Sequence, residues 1–226
     1  MSSHYEIEIK SLLGSKENAE KLRANLKKHD RTMRLTSSHS ELNHYFNEPA
    51  DRQQFYAAVE LLLSKKEKES LKKLLAEAKT LSIRTRQAEG KVLLVVKASI
   101  DDATSANGVS RIEFEGVVSK TLDELDKILS SAGLTYQAKW SRDREEYKSG
   151  NTNICIDRNA GYGYLAEFEQ VVADKENADN AKRELIAFMD KLGVVELSQD
   201  RLERMFAHYN MHWSEYYGTD KIFVIE

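Results

Sequence analysis

Apolar and charged residues alternate strictly in Glu6-Ile7-Glu8-Ile9-Lys10. Period-two alternation predicts a β-strand with one face buried, here over about 4–12. Apolar residues at three- and four-residue spacing then predict an amphipathic helix over about 16–29, opened by Ser15 as N-cap. A strand follows near 36–47. Pro49 stands at a start signal, and the spacing within LLLSKKEKESLKKLLAEA predicts one long helix from there to about Lys79. Strands are expected over about 81–88 and 92–99, joined by a hairpin at Glu89-Gly90. A strand over about 109–117 leads into the helix TLDELDKILSSAG, with Gly133 as its C-cap. Strands over about 134–148 and 152–158 flank Ser149-Gly150-Asn151, a second hairpin signal. A strand over about 163–172 precedes a helix over about 177–192 that stops at Gly193. A last helix, about 199–213, runs into the short apolar tail KIFVIE.

About eight strands, mostly in antiparallel neighbours with helices inserted, give an α+β pattern rather than βαβ. Eight antiparallel strands commonly close into a barrel, because closure removes exposed edges. The expected architecture is therefore a closed eight-stranded antiparallel β-barrel, a tunnel, with helices packed outside. It is expected as a single domain over 1–226, with a helical insertion at about 49–80 and a C-terminal helix at about 199–213.

Bulk properties narrow the function. The chain has 226 residues, 41% hydrophobic and 31% charged, with a formal net charge of -3. No basic excess is present, so nucleic acid is not an expected partner. No apolar run approaches the ~18 residues of a membrane span, and the N-terminus lacks an apolar signal core. Cys155 is the single cysteine, which excludes an internal disulfide and a cysteine-based metal cluster. The expectation is a reduced, cytoplasmic protein with no membrane partner. A homodimer is compatible with this reading.

The charges change the picture most. Side chains at i and i+2 of a strand share a face. On this rule Glu6, Glu8 and Lys10 lie together, as do Arg84 with Arg86, Arg111 with Glu113 and Glu115, Arg142 with Arg144, and Glu167 with Glu169. Lys97 closes one strand and Asp157 ends another. A single charged strand face usually meets water. Repeated over most strands, with four amphipathic helices available to cover the apolar faces, the pattern places charges inside and helices outside. Lys10, Arg84, Arg86, Lys97, Arg111, Arg142 and Arg144 then face Glu6, Glu8, Glu113, Glu115, Asp157, Glu167 and Glu169. Buried charges must be paired or ligated. Arginine forks match phosphate oxygens, and Mg²⁺ or Mn²⁺ prefers carboxylate oxygens together with substrate phosphates. A metal-complexed triphosphate suits both sets.

These motifs resemble a known family. EIEIK matches the ExExK signature of the CYTH superfamily, the triphosphate tunnel metalloenzymes, whose members include class IV adenylyl cyclases, thiamine triphosphatases and inorganic triphosphatases. SIRTR resembles the family's RxR strand, LLVVKAS its lysine strand and SRIEFEG its Arg-x-Glu-x-Glu strand. RDREEY resembles KxRxxY with Arg142 in the lysine place, and ICIDRNAGYGYLAEFE resembles the closing Asp, glycine turn and ExE strand. The motifs run in family order from residue 6 to about 170. The resemblance implies a tunnel binding a triphosphate with one or two divalent cations, Mg²⁺ or Mn²⁺. It implies Glu6, Glu8, Glu167 and Glu169 as metal ligands, with Glu113, Glu115 and Asp157 completing the metal shell or locking the arginines. Lys10, Arg84, Arg86, Lys97, Arg111, Arg142 and Arg144 would grip phosphates. Lys10 is either a base for the attacking water or one more clamp. In ELNHYFN, Asn43 and Asn47 are expected to have no metal role. The His-Phe pair of the cyclases and the ERK of many triphosphatases are both missing.

Other signals carry less. GYGYLA matches a dinucleotide fingerprint but opens a strand rather than a helix, so Gly161 and Gly163 read as turn residues. GSK lacks the earlier glycine of a P-loop. His208 and His212 stand at i, i+4 without the glutamate of a zinc protease, which suits packing or surface. Cys155 is expected on the tunnel side without chemistry.

Three functions fit. The first is a divalent-metal-dependent triphosphatase acting on inorganic triphosphate or a related nucleoside or thiamine triphosphate. The second is a class IV adenylyl cyclase converting ATP to cyclic AMP and pyrophosphate. The third is a non-catalytic polyphosphate or nucleotide sensor.

Overall fold

A computed structural model describes residues 5–99, 111–173 and 177–226, without the side chains of residues 5, 6, 99, 111 and 112. Its strands are β1 (Tyr5–Gly14), β2 (Arg34–Phe46), β3 (Thr80–Ala88), β4 (Lys91–Ser99), β5 (Arg111–Val118), β6 (Tyr136–Ser149), β7 (Thr152–Asn159) and β8 (Gly163–Val172). Its α-helices are α1 (Lys16–His29), α2 (Arg52–Val59), α3 (Lys65–Glu77), α4 (Leu122–Ser131), α5 (Ala178–Leu192) and α6 (Gln199–Tyr216). The eight strands form one sheet in the order β1-β8-β7-β6-β2-β3-β4-β5. The α+β class is as expected, and β1 and β5 stand at the two ends of the order. Val109 and Ser110, expected in β5, lie outside the described residues.

One expectation is corrected. The single helix from Pro49 to Lys79 is two helices joined by a 3-10 turn at Glu60–Leu62. Leu63 is extended, and Ser64 begins a new helix with a capping box: its hydroxyl accepts from the Glu67 amide, and the Glu67 carboxylate accepts from the Ser64 amide at 2.7 Å. The S-x-x-E start signal sits inside the apolar periodicity, and satisfying the new helix's exposed amides outweighs continuing the old one.

The chain divides into two compact units. The first holds β1, the start of β2, the end of β6, β7, β8 and helices α1, α5 and α6. Its core is the apolar face of β1 and β8, with Ile7, Ile9, Ala166 and Phe168 buried under Leu22 and Leu26 of α1 and Leu185 and Met189 of α5. Truncating one such leucine to alanine costs about 2–5 kcal/mol. The C-terminal tail straps the β7–β8 turn: Gly161 donates to the Lys221 carbonyl at 2.9 Å and accepts from the Phe223 amide at 2.8 Å.

The second unit holds the end of β2, the start of β6, β3, β4, β5 and helices α2, α3 and α4. Phe46, Ile83, Leu94, Val96 and Phe114 are buried with Leu71 and Leu74 of α3 and Leu125 and Leu129 of α4. Both cores therefore use the strand parity opposite to the charged residues, which leaves the charges on the other sheet face. Among the described residues no helix is long and apolar enough to cross a membrane.

Candidate active site

In the first unit the charged face is set by register. Glu8 of β1 stands opposite Glu169 of β8, and Lys10 stands opposite Glu167. Cys155 of β7 pairs with Glu167, and Asp157 of β7 pairs with Arg144 of β6. The side chains interlock accordingly. Lys10 is ion-paired with Glu8 and lies 3.4 Å from Glu167. Arg144 donates through Nε and Nη2 to the two oxygens of Asp157 at 2.8 and 2.6 Å, and Arg142 Nη1 donates to Asp157 Oδ2 at 3.0 Å. Arg144 Nη2 also donates to Glu167. Asn153 donates to Glu169 at 3.3 Å.

Asp157 has only 1% of its side chain exposed. A carboxylate buried to this extent requires cationic donors, and two arginines supply them, Arg144 as a fork and Arg142 through one nitrogen. Burial opposes the charge on Glu167, but Lys10, Arg144 and Arg142 outweigh it and hold the carboxyl well below the usual carboxylate range. Burial pushes Asp157 up against the pull of Arg142 and Arg144, and the Glu167 charge adds to the rise. Glu167 is thus the more acidic of the pair. Burial also raises the Cys155 thiol to about 12.

The second unit carries its own charged row. Arg84 and Arg86 of β3 stand opposite Tyr45 and Asn43 of β2, and Lys97 of β4 stands opposite Glu113 of β5. Lys97 lies 3.0 Å and Arg84 3.5 Å from Glu113. Arg86 donates to Glu115 at 2.9 Å and to the Asn43 side-chain oxygen at 3.1 Å. Burial, and then the neighbouring Arg84 guanidinium, pull Arg86 below the usual arginine range. Arg84 Nη1 donates to the Tyr45 hydroxyl at 2.5 Å. Its Nε is buried without an acceptor among the described residues. Two adjacent guanidinium groups, one with an unanswered donor, are chemically suited to an anion.

The side chains of Glu6 and Arg111 lie outside the described residues; Glu6 holds the register position opposite Val171, and Arg111 that opposite Ser99. Sequence reasoning did not single out Glu41, Tyr45, Trp140 or Asn153. Glu41 is buried and accepts from Asn43 at 3.1 Å, so ELNHYFN contributes an acid and two arginine partners to the site's face. The signal was present: Glu41, Asn43 and Tyr45 alternate on one parity. Asn47 instead donates to Thr135 at 2.9 Å, at the end of β2. Gly161 and Gly163 have φ of +84° and +73°, consistent with the turn reading. His208 and His212 stack at 4.7 Å on α6, with His208 against Phe223.

The oxygen donors on β1 and β8 fit a hard divalent ion. Glu8 and Glu169 are like charges at directly opposed positions, an arrangement that destabilises a bare sheet and suits an intervening cation. Among the described residues no three acidic, histidine or cysteine side chains converge as a preformed cage. Glu8 is instead engaged by Lys10, and Glu167 by Lys10 and Arg144.

Paired arginines beside rows of carboxylates on one sheet face accompany a sequence that matches the CYTH domain family over residues 4–202. The chain belongs to the CYTH family, whose members are triphosphatases or adenylyl cyclases that take triphosphate substrates and generally depend on divalent metal ions. The fold is shared with PH1819 of Pyrococcus horikoshii OT3, at 21% identity and a TM-score of 0.60, covering 90% of this chain and 99% of that one. PH1012 of the same organism aligns at 16% identity and a TM-score of 0.59, covering 86% and 92%. A candidate adenylate cyclase from Vibrio parahaemolyticus aligns at 14% identity and a TM-score of 0.60, covering 90% and 98%. No curated relative matches the sequence.

Proposed function

We propose that the protein is a divalent-metal-dependent triphosphatase, hydrolysing inorganic triphosphate or a related organic triphosphate. The observation that carries this reading is the Arg84–Arg86 pair, in which a buried guanidinium Nε faces no acceptor among the described residues. A phosphoryl oxygen would satisfy it. In this reading the eight-stranded sheet closes into a barrel with its charged face inward.

Glu8, Glu167 and Glu169 would hold Mg²⁺ or Mn²⁺, together with Glu6. The ion supplies neutralisation of phosphate charge and orientation of the attacking water. Arg84, Arg86 and Lys97 in one unit, and Lys10, Arg142 and Arg144 in the other, bind phosphate oxygens, with Arg111 added to them. Glu113, Glu115 and Asp157 keep these cations extended and fixed between turnovers. Fixed cations lower the barrier because they need not reorganise as charge shifts to the leaving oxygen. Lys10 is paired to two carboxylates, which suits a clamp bridging metal-side and phosphate oxygens.

The test is product analysis by ³¹P NMR with inorganic triphosphate or ATP, each with Mg²⁺ or Mn²⁺, and Glu8→Gln as control. Orthophosphate plus pyrophosphate from inorganic triphosphate, or orthophosphate plus ADP from ATP, lost in the variant, is expected. Pyrophosphate plus a cyclic phosphodiester signal from ATP would replace this reading with the cyclase.

A further inference from the structure

Two aromatic rings sit on the charged face of the second unit, beside its arginine pair. Tyr45 and Trp140 lie edge to face, centroids 6.5 Å apart at 70°. The Arg84 guanidinium carbon stands 5.4 Å from the Tyr45 ring centroid. Both rings are half-buried. Among the described residues neither belongs to the apolar core of this unit, although Phe46 and Tyr136, on the same two strands, pack in it. Core packing therefore does not account for them. Inorganic triphosphate has no use for an indole face next to its phosphate clamp, whereas a flat ring tethered to the phosphates does.

We propose that Trp140 and Tyr45 form a stacking platform for the heteroaromatic head of an organic triphosphate, making them the specificity-determining residues of this site. This rests on the triphosphate reading above, since it assigns the head of the same substrate. Three features support it. The indole offers the larger π-surface, and stacking on it tolerates any flat ring. The Tyr45 hydroxyl accepts from Arg84 Nη1, which fixes the ring and the guanidinium together. The remaining Arg84 donor, Nε, is left for phosphate, so one strand position links head recognition to phosphate recognition.

The experiment uses the full chain carrying Trp213→Phe, which leaves Trp140 as its single tryptophan. Trp213 lies on α6 of the first unit, whereas Arg84, Arg86, Tyr45 and Trp140 all belong to the second. Tryptophan emission is titrated with inorganic triphosphate, ATP and thiamine triphosphate, each with Mg²⁺. Quenching by at least one ring-bearing triphosphate, with little from inorganic triphosphate, is expected. In activity, Trp140→Ala raises KM for that organic triphosphate about 5- to 100-fold and leaves KM for inorganic triphosphate within about twofold; Trp140→Phe recovers most of the loss. Equal quenching by all three, or none by either organic compound, overturns the proposal, as does an equal rise in KM for both substrate types. Ring-dependent quenching without hydrolysis of any compound would remove the triphosphatase reading and keep the platform. Hydrolysis of inorganic triphosphate without ring-dependent quenching would do the reverse.

Discussion

Glu8 of β1 lies directly opposite Glu169 of β8, two carboxylates facing across a ladder in which the next charged pair, Lys10 with Glu167, is complementary. Like charges so placed cost about 0.2–1 kcal/mol. A divalent cation between the two carboxylates, as proposed above, would relieve the repulsion. Glu169→Gln is therefore expected to melt no lower than the wild type in chelator, and up to about 4 °C higher. The same variant loses the upward shift in melting temperature that millimolar Mg²⁺ or Mn²⁺ gives the wild type. Thermal scans with and without metal check both halves. A lower melting temperature in chelator would show that the pair is not repulsive, and a retained metal shift would remove Glu169 from the ligand set.

Much of this was legible in the chain, and the reason is periodicity. Ile7 and Ile9 against Glu8 and Lys10 specify both the strand and its buried side, because a one-residue slip would invert every side chain. The hairpins announced themselves through Gly90 and Gly150, both at positive φ. Two things escaped. The helix break at Leu63–Ser64 was hidden because a local capping box sat within an unbroken apolar repeat. The network around Asp126 was hidden because its partners, His44, Thr85 and Tyr136, come from strands far apart in sequence and only the fold brings them together. Periodicity reports which face a residue takes; it does not report which polar groups meet there.

Asp126 of α4 is a buried carboxylate that joins the helix to three strands. It accepts from His44 at 2.6 Å, Thr85 at 2.6 Å and Tyr136 at 2.7 Å. Thr85 lies between Arg84 and Arg86, so this anchor holds the helix-covered face of the strand whose other face carries the two arginines. Asp126→Ala removes the acceptor shared by buried His44 and Thr85 and half-buried Tyr136, and is expected to cost about 3–5 kcal/mol in urea unfolding. A loss below about 1 kcal/mol would mean that the donors find water or that the anchor is not structural.

Asp126 also sets a pH dependence. Burial raises its pKa, but the hydrogen bonds from His44, Thr85 and Tyr136 outweigh this and leave it below the ordinary value. A depressed folded pKa contributes stability that is complete above the unfolded value, about 3.9, and is lost as pH falls through the folded one. The stability gap between wild type and Asp126→Asn should therefore stay constant from neutral pH down to about 5 and shrink as pH falls below about 4. Urea unfolding of both proteins across this range is the check. A gap that grows on acidification would reverse the assigned direction.

Gly163 and Gly161 bracket the β7–β8 turn but tolerate substitution differently. A Cβ on Gly163 would sit 2.3 Å from the Gly14 carbonyl oxygen, and the residue has φ +73°. The carbonyl belongs to the end of β1, next to the paired ladder, and cannot move without disturbing the strand that carries Glu8 and Lys10. A Cβ on Gly161 would meet the Tyr209 ring at 2.7 Å and Phe223 at 3.0 Å, at φ +84°. Those are side-chain atoms of α6 and the tail rather than backbone of β1, so the clash leaves the strand carrying Glu8 and Lys10 untouched. Both alanine variants bear the left-handed backbone penalty of about 1–2 kcal/mol. Gly163→Ala adds a backbone clash and should lose stability and activity together, whereas Gly161→Ala should lose stability while keeping most of the activity. Melting temperatures and initial rates at a temperature where both variants are folded decide it; equal loss of activity in the two would mean that the tail's contact with the turn, and not only that with β1, sustains activity.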